Sequence, residues 1–336
     1  SLSVKLTFIS DTHIGAIRSA GTTPATRQAL RELILIQFSN LLPDEGDLLI
    51  GGDLFDATHI PASDLFVTYD MLTHWLRSHP NSYLYNSRGN HDCASSSNVM
   101  SSFDLLGKLL TMHFPDRYVH IDKPTATPHG YVIPHMPNQV LFDDAIAAVP
   151  ECDFLFTHCN ISNNFAAQSD HSLNLSLDQI AACKAKQIVC AHEHHGRTLG
   201  KVTIPGNQIP TSVADLLSPG DKQYAVIRDG KLTLHTCARR ADEFAEMPWN
   251  DLKPSTAPFI RISGEAAAAQ ASEALAAVAA YRRTSEALVV ANAVKVQAAE
   301  GADFEDAVAD MKGYDVMSML REVLEPNEVK ILEGLK

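Results

Sequence analysis

Short apolar runs recur along the first two thirds of the chain, and each is followed by a polar turn rich in aspartate and histidine. Runs of this length between turn residues predict β-strands. The predicted strands are Lys5–Ser10, Asp47–Ile50, Ser82–Tyr85, Phe154–Thr157 and Gln187–Cys190. Each strand therefore delivers a loop that carries polar side chains.

Between the first two strands the apolar positions change to a helical period. Thr23 is a suitable N-cap and Pro24 a suitable first helical residue. The apolar residues that follow share one helical face: Leu30, Leu33, Ile34, Phe38 and Leu41. A strand, a helix and a second strand in this order predict a β-α-β unit.

Strands are favoured again in the later segments Lys201–Ile204, Tyr224–Ile227 and Lys231–His235. Asp229-Gly230 predicts a tight hairpin between the last two of these segments. Together the patterns indicate the α/β (α+β) fold class, with stacked sheets flanked by helices.

The strand pattern breaks at residues 241–257, where Glu246 to Pro254 are interpreted as a linker. We therefore expect one domain over residues 1–240. Residues 258–300 predict a small β-α-β domain composed of strand Phe259–Ser263, an Ala-rich helix from Glu265 to Arg283 and strand Ala287–Val296. Residues 303–336 predict a helical tail, whose apolar faces are either ordinary core or a surface for a partner.

Composition limits the function only in part. The chain has 336 residues and a formal net charge of −13, which argues against coating DNA through an extended basic surface. A few local lysines and arginines, together with bound cations, can still serve nucleic acid. The six cysteines include no C-x-x-C pair, so we expect reduced thiols and a cytoplasmic location, in a prokaryotic cell or a virus-infected host. We expect no secretory leader and no membrane-spanning segment.

Metal ligands cluster directly after the predicted strands. The five clusters are Asp11-Thr12-His13, Gly52-Asp53-Leu54-Phe55-Asp56, Gly89-Asn90-His91-Asp92, Thr157-His158 and His192-Glu193-His194-His195. Carboxylates with neutral imidazoles suit manganese, iron or zinc better than calcium, and the Asn90 amide can add an oxygen ligand without adding charge. Each cluster alone is a common turn composition, but all five in this order favour a metal site.

In order, these clusters read D-x-H, G-D-x-x-D, G-N-H-D, H and, with Ala191 in place of the usual glycine, G-H-x-H. The set resembles the signature of the calcineurin-like metallophosphoesterase superfamily over residues 4–238. The resemblance implies a four-layer β-sandwich flanked by helices. We expect the departure at Ala191 to be minor, because an alanine there indicates a position that does not need positive φ.

The resemblance also implies two divalent cations, with manganese expected and iron, zinc or magnesium as alternatives. The implied ligands are Asp11, His13 and His194 for the first metal, Asn90, His158 and His192 for the second, and Asp53 as the bridge between them. His91 would act on the substrate as a catalytic residue, by neutralising the transition state or protonating the leaving oxygen. Asp56 would hold His91 in orientation.

Within the superfamily the chain looks most like the SbcD branch of DNA-end-processing nucleases, which work with an SbcC-like ABC-type ATPase. The resemblance is carried by Gly51–Asp56, by Ala191–His194 and by the later Pro205-Gly206-Asn207 turn. It implies a manganese-dependent DNA exonuclease or endonuclease in DNA repair, recombination or replication.

Two alternatives to the nuclease remain open, together with one alternative to its partner. One is a phosphodiesterase or phosphatase for small molecules or phosphoproteins, which the acidic composition favours. Another is a scaffold subunit that has lost catalysis, against which no ligand and no His91 is missing. A homodimer is a further alternative to the ATPase partnership.

Several cationic side chains flank the ligand clusters without a settled role. For His195, Arg197, Arg88 and His59 a contact to phosphate is left open beside simple exposure. Five further histidines are interpreted as surface or helix-cap residues: His74, His79, His113, His120 and His129.

Overall fold

The computed structural model describes residues 4–16, 24–93, 98–169, 172–217, 222–237 and 243–297. The strands are β1 Lys5–Ile9, β2 Asp47–Ile50, β3 Leu84–Ser87, β4 Tyr118–Ile121, β5 Thr125–Thr127, β6 Gly130–Ile133, β7 Cys152–His158, β8 Asn160–Ile161, β9 Asn174–Leu175, β10 Ala185–Ala191, β11 Arg197–Leu199, β12 Val202–Ile204, β13 Gln223–Arg228, β14 Lys231–Thr236, β15 Phe244–Pro248, β16 Phe259–Ser263, β17 Glu265–Ala266, β18 Val289–Asn292 and β19 Lys295–Val296. The α-helices are α1 Pro24–Leu41, α2 Ala62–Ser78, α3 Ser102–His113, α4 Gln139–Ala147, α5 Asn164–Ser169, α6 Leu177–Ala182 and α7 Ala271–Thr284, with 3-10 turns at Ala214–Leu216 and Ala268–Gln270.

Two six-stranded sheets dominate the first of two units, which comprises the described parts of Ser1–Ala16, Arg31–Ile209 and Gly220–Cys237. Their strand orders are β14-β13-β1-β2-β3-β4 and β11-β12-β10-β7-β6-β5. Strands β1 to β4 are parallel to one another, as are β6, β7, β10 and β12. Because parallel strands end at the same edge, the loops after them gather at one edge of each sheet.

Apolar side chains between the sheets make the central core of this unit. Leu6 and Phe8 of β1 are buried in the same cluster as Phe154 and Phe156 of β7. The Phe8 and Phe156 rings stack with their centroids 5.8 Å apart. Alternation along each strand places every second side chain in this layer.

Helices cover outer faces of both sheets. Phe142 of α4 and Ile180 of α6 share a cluster with Ile188 of the second sheet. On the first sheet, Phe103 of α3 packs against His120 of β4, with the ring centroids 4.5 Å apart. The prediction of stacked sheets flanked by helices is confirmed.

Local turn chemistry explains which predicted elements have the expected bounds in the structure and which begin elsewhere. Asp229 (φ 51°) and Gly230 (φ 76°) both have positive φ, as the predicted hairpin between β13 and β14 requires. The strand predicted at Ser82–Tyr85 begins instead at Leu84, because the Ser82 amide closes a turn onto the His79 carbonyl at 3.0 Å. The predicted cap at Thr23 lies outside the described residues, although the helix begins at Pro24 as expected.

The second unit comprises the described parts of Ile17–Leu30, Pro210–Pro219 and Ala238–Lys336, and contains a parallel β15-β16-β18 sheet with α7. The linker interpretation of residues 246–254 is wrong at its start, because β15 pairs with β16 in register Met247↔Ile262. Ala245 and Met247 point into the apolar cluster while Glu246 lies between them, which is the alternation of a strand. The sheet therefore begins before residue 258.

The predicted Ala-rich helix begins later than expected. Gly264 has φ 105°, and Glu265 pairs with Lys295 in a two-stranded β17-β19 ladder before the helix starts at Ala271. The helical tail predicted at residues 303–336 lies outside the described residues. All six cysteines are free thiols. Among the described helices, none combines the length and the apolar character that a membrane crossing needs.

Candidate metal centre

The ligand clusters lie at the ends of β1, β2 and β3 of the first sheet and of β7 and β10 of the second. Four clusters begin one or two residues after their strands, and Thr157-His158 are the last two residues of β7. The structure brings the side chains of these clusters together: Asp11, His13, Asp53, Asp56, Asn90, His91, His158, His192 and His194. Residues as distant in sequence as Asp11 and His194 thus meet at one edge of the sandwich.

One group of donor atoms is formed by Asp11, His13 and His194. Their ligand atoms all lie within 4.8 Å of one another. The Nε2 atoms of His13 and His194 are 3.1 Å apart. Two imidazole nitrogens this close point toward a common centre, which is the geometry that ligands of one cation adopt.

A second group is formed by Asp53, His158 and His192, whose ligand atoms also lie within 4.8 Å of one another. The Oδ1 atom of Asn90 is 3.0 Å from His158 Nε2. Asp53 Oδ2 lies 3.3 Å from His158 Nε2 and 3.8 Å from His13 Nε2. Asp53 therefore stands between the two groups, where a bridging ligand would be.

The donor set fits divalent cations on its own geometry. Asp11 is fully buried, and its Oδ2 accepts hydrogen bonds from the Ser10 hydroxyl at 2.7 Å and the His192 amide at 3.0 Å. Its Oδ1 is buried without a hydrogen-bond partner among the described residues. Since a buried carboxylate oxygen without a partner is costly, a cation at this point would satisfy it.

Hydrogen bonds to the far ring nitrogens orient the imidazoles. His158 Nδ1 donates to the Gly51 carbonyl at 3.0 Å, and His13 Nδ1 donates to Asp56 Oδ1 at 3.0 Å. A histidine bonded through one ring nitrogen presents the other to a metal. Both Nε2 atoms are therefore the nitrogens available for coordination.

Asp56 contacts His91, the residue that the resemblance implied it would orient, through its backbone. The Asp56 carbonyl accepts a hydrogen bond from His91 Nδ1 at 2.8 Å, while the Asp56 carboxylate accepts one from His13 Nδ1 at 3.0 Å. Motif spacing does not reveal which group of Asp56 makes each contact, because a backbone carbonyl is a strong acceptor wherever the chain turns. Asp56 thus positions two imidazoles with different groups.

Backbone strain is concentrated on the ligands. Six described non-glycine residues have positive φ, and four of them are Asp11 (54°), His13 (53°), Asp53 (51°) and His192 (90°). Such conformations are uncommon and persist where the surroundings enforce them, often at functional sites. Ala191, the last residue of β10, is not among the six, so the expectation that it does not need positive φ is confirmed.

Two glycines make room for the ligands. A Cβ atom at Gly52 (φ 109°) would collide with the His158 ring, and one at Gly89 would collide with the Asp53 carboxylate. Any larger residue at these positions would have to displace a ligand. The glycines of the second and third motifs therefore allow ligand side chains to lie directly against the backbone of these loops.

The sequence model of the family described as calcineurin-like phosphoesterase matches residues 4–196, more than half of the chain. The chain belongs to this family. Metal-dependent hydrolysis of phosphoesters is therefore its reaction, and the two groups of donor atoms are candidate ligand clusters for the metals.

Solved structures similar to this phosphoesterase include a predicted phosphoesterase from Streptococcus pneumoniae TIGR4 and a metallophosphoesterase from Sphaerobacter thermophilus. The first is 12% identical with a TM-score of 0.26, and the match covers 70% of this chain and 91% of that one. The second is 13% identical with a TM-score of 0.31, and the match covers 71% and 89%. With TM-scores this low, neither likeness carries an argument. None of the curated proteins matches the chain in sequence.

Asp92 is a residue of the phosphoesterase site to which the sequence assigned no role. Its buried carboxylate accepts three backbone hydrogen bonds, from the amides of Asp53 (2.9 Å), Phe55 (3.2 Å) and Gly89 (2.8 Å). Burial and the charge of Asp53 raise the pKa of Asp92 to about 7. Its position at the end of G-N-H-D was the available signal. The Asp92 carboxylate therefore links the loop of the second motif to the loop of the third through hydrogen bonds.

His135 was also missed. It follows β6, within Pro134-His135-Met136-Pro137, and is only 8% exposed. Burial, followed by the charge of His158, lowers the pKa of His135 to about 3, so the ring stays neutral. Because no motif of the set contains this position, only the flanking prolines were a signal of a stiff segment.

Opposing charges set the protonation of the centre. Burial alone would lower the pKa of His13, but the hydrogen bond to Asp56 and the charge of Asp53 raise it to about 9. The pKa of His158 rises in the same way to about 10, chiefly through Asp53 and Asp11 against burial. Burial opposes ionisation of Asp53 as well, yet the charges of His158 and His91 hold its pKa well below the usual value. Burial lowers the pKa of His91.

Side chains with unsettled roles separate into two kinds. Arg197 pairs with Glu193 at 2.8 Å, and His195 and His59 are exposed. The sequence predicted His120 and His129 as surface or helix-cap residues, but both are partly buried. His120 bonds Asp104 at 3.0 Å, and His129 bonds Asp47 at 2.6 Å. The helix-cap interpretation holds for His79, the C-cap of α2.

Replacement of the central carboxylate should remove both cations. In Asp53→Ala we expect loss of both metals and of phosphoester hydrolysis, because one side chain faces both groups. Metal content by mass spectrometry of the purified, manganese-equilibrated protein checks this, with Asp153→Ala as a matched control, since Asp153 is an exposed aspartate at the start of β7, away from the ligand groups. Two metals retained in Asp53→Ala would contradict the bridging assignment.

Metal binding should release protons. Because the pKa values of His13 and His158 lie near 9 and 10 in the metal-free protein, both rings are protonated at about pH 7.5 and must lose their protons to act as ligands. We expect about two protons released per protein on saturation with manganese. Calorimetry in buffers of different ionisation enthalpy measures the number, which should fall toward zero above roughly pH 10.5. A release that does not change with pH would contradict the assignment.

Proposed function

We propose that this phosphoesterase is a manganese-dependent DNA nuclease that hydrolyses phosphodiester bonds by a two-metal mechanism, as a relative of the SbcD branch. The observation that carries the two-metal mechanism is the position of Asp53 Oδ2 between the two ligand groups, 3.8 Å and 3.3 Å from their imidazoles. The choice of DNA is supported by the resemblance of the motifs. The separate β-α-β unit after the catalytic unit adds a pattern similar to that branch's capping domain.

Two cations bound by these groups would supply a nucleophilic hydroxide at neutral pH and would stabilise the charge of the transition state. The protein's own residues do the rest. Asp53, Asp11 and Asn90 present oxygens, while His13, His158, His192 and His194 present nitrogens. The burial of the carboxylates keeps water from competing for these donor atoms.

His91 is the candidate proton donor to the leaving oxygen. Its backbone amide donates to Asp53 Oδ1 at 2.9 Å, and its Nδ1 donates to the Asp56 carbonyl at 2.8 Å. The other ring nitrogen, Nε2, is therefore the atom that can exchange a proton with substrate. The ring packs edge-on against His13 with centroids 4.9 Å apart, which places it beside the first ligand group.

The alternative substrate class is a small phosphodiester or a phosphoprotein. The net charge of −13 favours it, because a polyanion is repelled by an acidic protein. The metal centre is equally compatible with both classes. Loss of catalysis is not favoured, since all seven ligand residues and His91 are present.

DNA cleavage should be measured directly on the full chain. We expect the manganese-loaded protein to degrade end-labelled duplex, single-stranded or hairpin DNA, and product lengths would separate exonuclease from endonuclease action. His91→Ala is the matched control: it should keep its metals and lose roughly two to four powers of ten in rate, which excludes a contaminating nuclease. Hydrolysis of bis-p-nitrophenyl phosphate with no DNA cleavage would instead support the small-substrate alternative.

The partner we propose is an SbcC-like ABC-type ATPase, with a second copy of this chain as the alternative. The support is the helical spacing of apolar residues in the tail, at residues 303–336. A protein that ends at Gly301 should fold and hydrolyse bis-p-nitrophenyl phosphate as the full chain does, but should no longer bind the ATPase in a pull-down. Unfolding or loss of this hydrolysis would show that the tail is core.

A further inference from the structure

His135 lies on the ligand-bearing edge of the second sheet. Strands β6, β7 and β10 are neighbours and run parallel, with Ile133 paired to Thr157 and Ala191 paired to His158. His135 follows the end of β6 by two residues, just as ligands follow the ends of the other strands. Three histidines, His135, His158 and His192, thus stand at the ends of three adjacent parallel strands.

The backbone of His135 is fixed to the third motif. Its amide donates to the Arg88 carbonyl at 2.9 Å, and Arg88 Nη2 donates back to the His135 carbonyl at 3.3 Å. Arg88 precedes the ligand Asn90 by two residues, and its guanidinium also bonds the Asp122 carbonyl at 3.1 Å. Pro134 and Pro137 restrict the segment further. A residue held this firmly beside a ligand loop is suited to a precise contact.

The ring of His135 has a polar atom with nothing to bond. Only 8% of the residue is exposed, and its Nδ1 is buried without a hydrogen-bond partner among the described residues. Its place two residues after β6, next to the end of β7 and bonded to Arg88, puts the residue beside the second ligand group, and the charges of His158, Asp53 and His192 act on its ring. A buried imidazole nitrogen without a partner is unfavourable, so a hydrogen-bonding group bound at this edge would satisfy it.

We propose that His135 is a substrate-binding residue of the phosphoesterase, whose imidazole donates a hydrogen bond to a non-bridging oxygen of the phosphoester on the side of the second ligand group. His91 lies on the other side, packed against His13. The phosphoryl group is then held between two imidazoles that do not coordinate metal. The role depends on phosphoester hydrolysis, not on DNA as the substrate.

Inorganic phosphate is the probe, because it carries the oxygens that His135 would bind and none of the rest of a substrate. In the manganese-loaded full chain, His135→Ala should keep its metal content and bind phosphate about 10- to 100-fold more weakly, as expected for a lost hydrogen bond to a charged group. Calorimetry measures binding directly. The inhibition constant of phosphate against bis-p-nitrophenyl phosphate and the KM should rise by a similar factor.

Replacing His135 by asparagine or glutamine identifies which ring nitrogen binds phosphate. An asparagine amide overlies the position of Nδ1 and a glutamine amide that of Nε2, so His135→Asn or His135→Gln should restore part of the phosphate affinity. These variants also keep the proposal testable if the alanine variant does not fold. The matched control is His129→Ala, since His129 is partly buried at the opposite end of β6, where it bonds Asp47. It should leave phosphate binding unchanged.

Three results would overturn the proposal. Loss of metal in His135→Ala would make His135 a ligand. Unchanged phosphate affinity in that variant would make the residue structural. An equal loss in His129→Ala would show that any disturbance of β6 weakens the site.

Discussion

Burial of negative charge at the ends of neighbouring parallel strands is the constraint on which this site depends. Asp11 and Asp53 are almost completely inaccessible to water. An ionised carboxylate in such a place is unfavourable unless hydrogen bonds and opposite charges surround it. Both carboxylates accept hydrogen bonds from backbone amides, Asp11 accepts another from the Ser10 hydroxyl, and imidazoles lie close to both. Asp11 Oδ1 has no hydrogen-bond partner among the described residues, and a cation bound there would satisfy it.

Polar contacts at this edge also join the two sheets. The His192 amide after β10 donates to Asp11 after β1, and the His158 ring at the end of β7 donates to the Gly51 carbonyl after β2. Behind these contacts the sheets are held by apolar packing, as between Phe8 and Phe156. The metal centre therefore occupies the place where apolar packing of the sandwich gives way to hydrogen bonds. A cation there would link loops from both sheets and stabilise the folded state as well as the reaction.

Hydrogen bonding divides the histidines of the site by role. His13 and His158 have one ring nitrogen bonded to an acceptor of the protein, which leaves the other for a cation. His91 is bonded in the same way, yet its ring lies beside the first group, not within it. His135 is held through its backbone, and its ring Nδ1 has no hydrogen-bond partner among the described residues. In the roles that we propose, one side-chain type serves coordination, proton transfer and substrate binding, according to which atom the protein engages.

Much of this could be predicted from the sequence. The alternation of apolar residues determined the strands, because one face of each must be buried, and Asp229-Gly230 determined the hairpin, because both positions need positive φ. Motif order predicted which side chains gather at this edge, since polar loops after parallel strands meet at one edge of a sheet, and their roles as metal ligands stay a prediction. Strand β15 could not be predicted, because a pairing between Met247 and Ile262 depends on residues that are distant in sequence. Only the tertiary structure decided that the Asp56 carboxylate serves His13, that Asp92 receives three amides and that His135 stands beside the second group. These roles arise from contacts between loops of different strands, and such contacts leave no pattern along the chain.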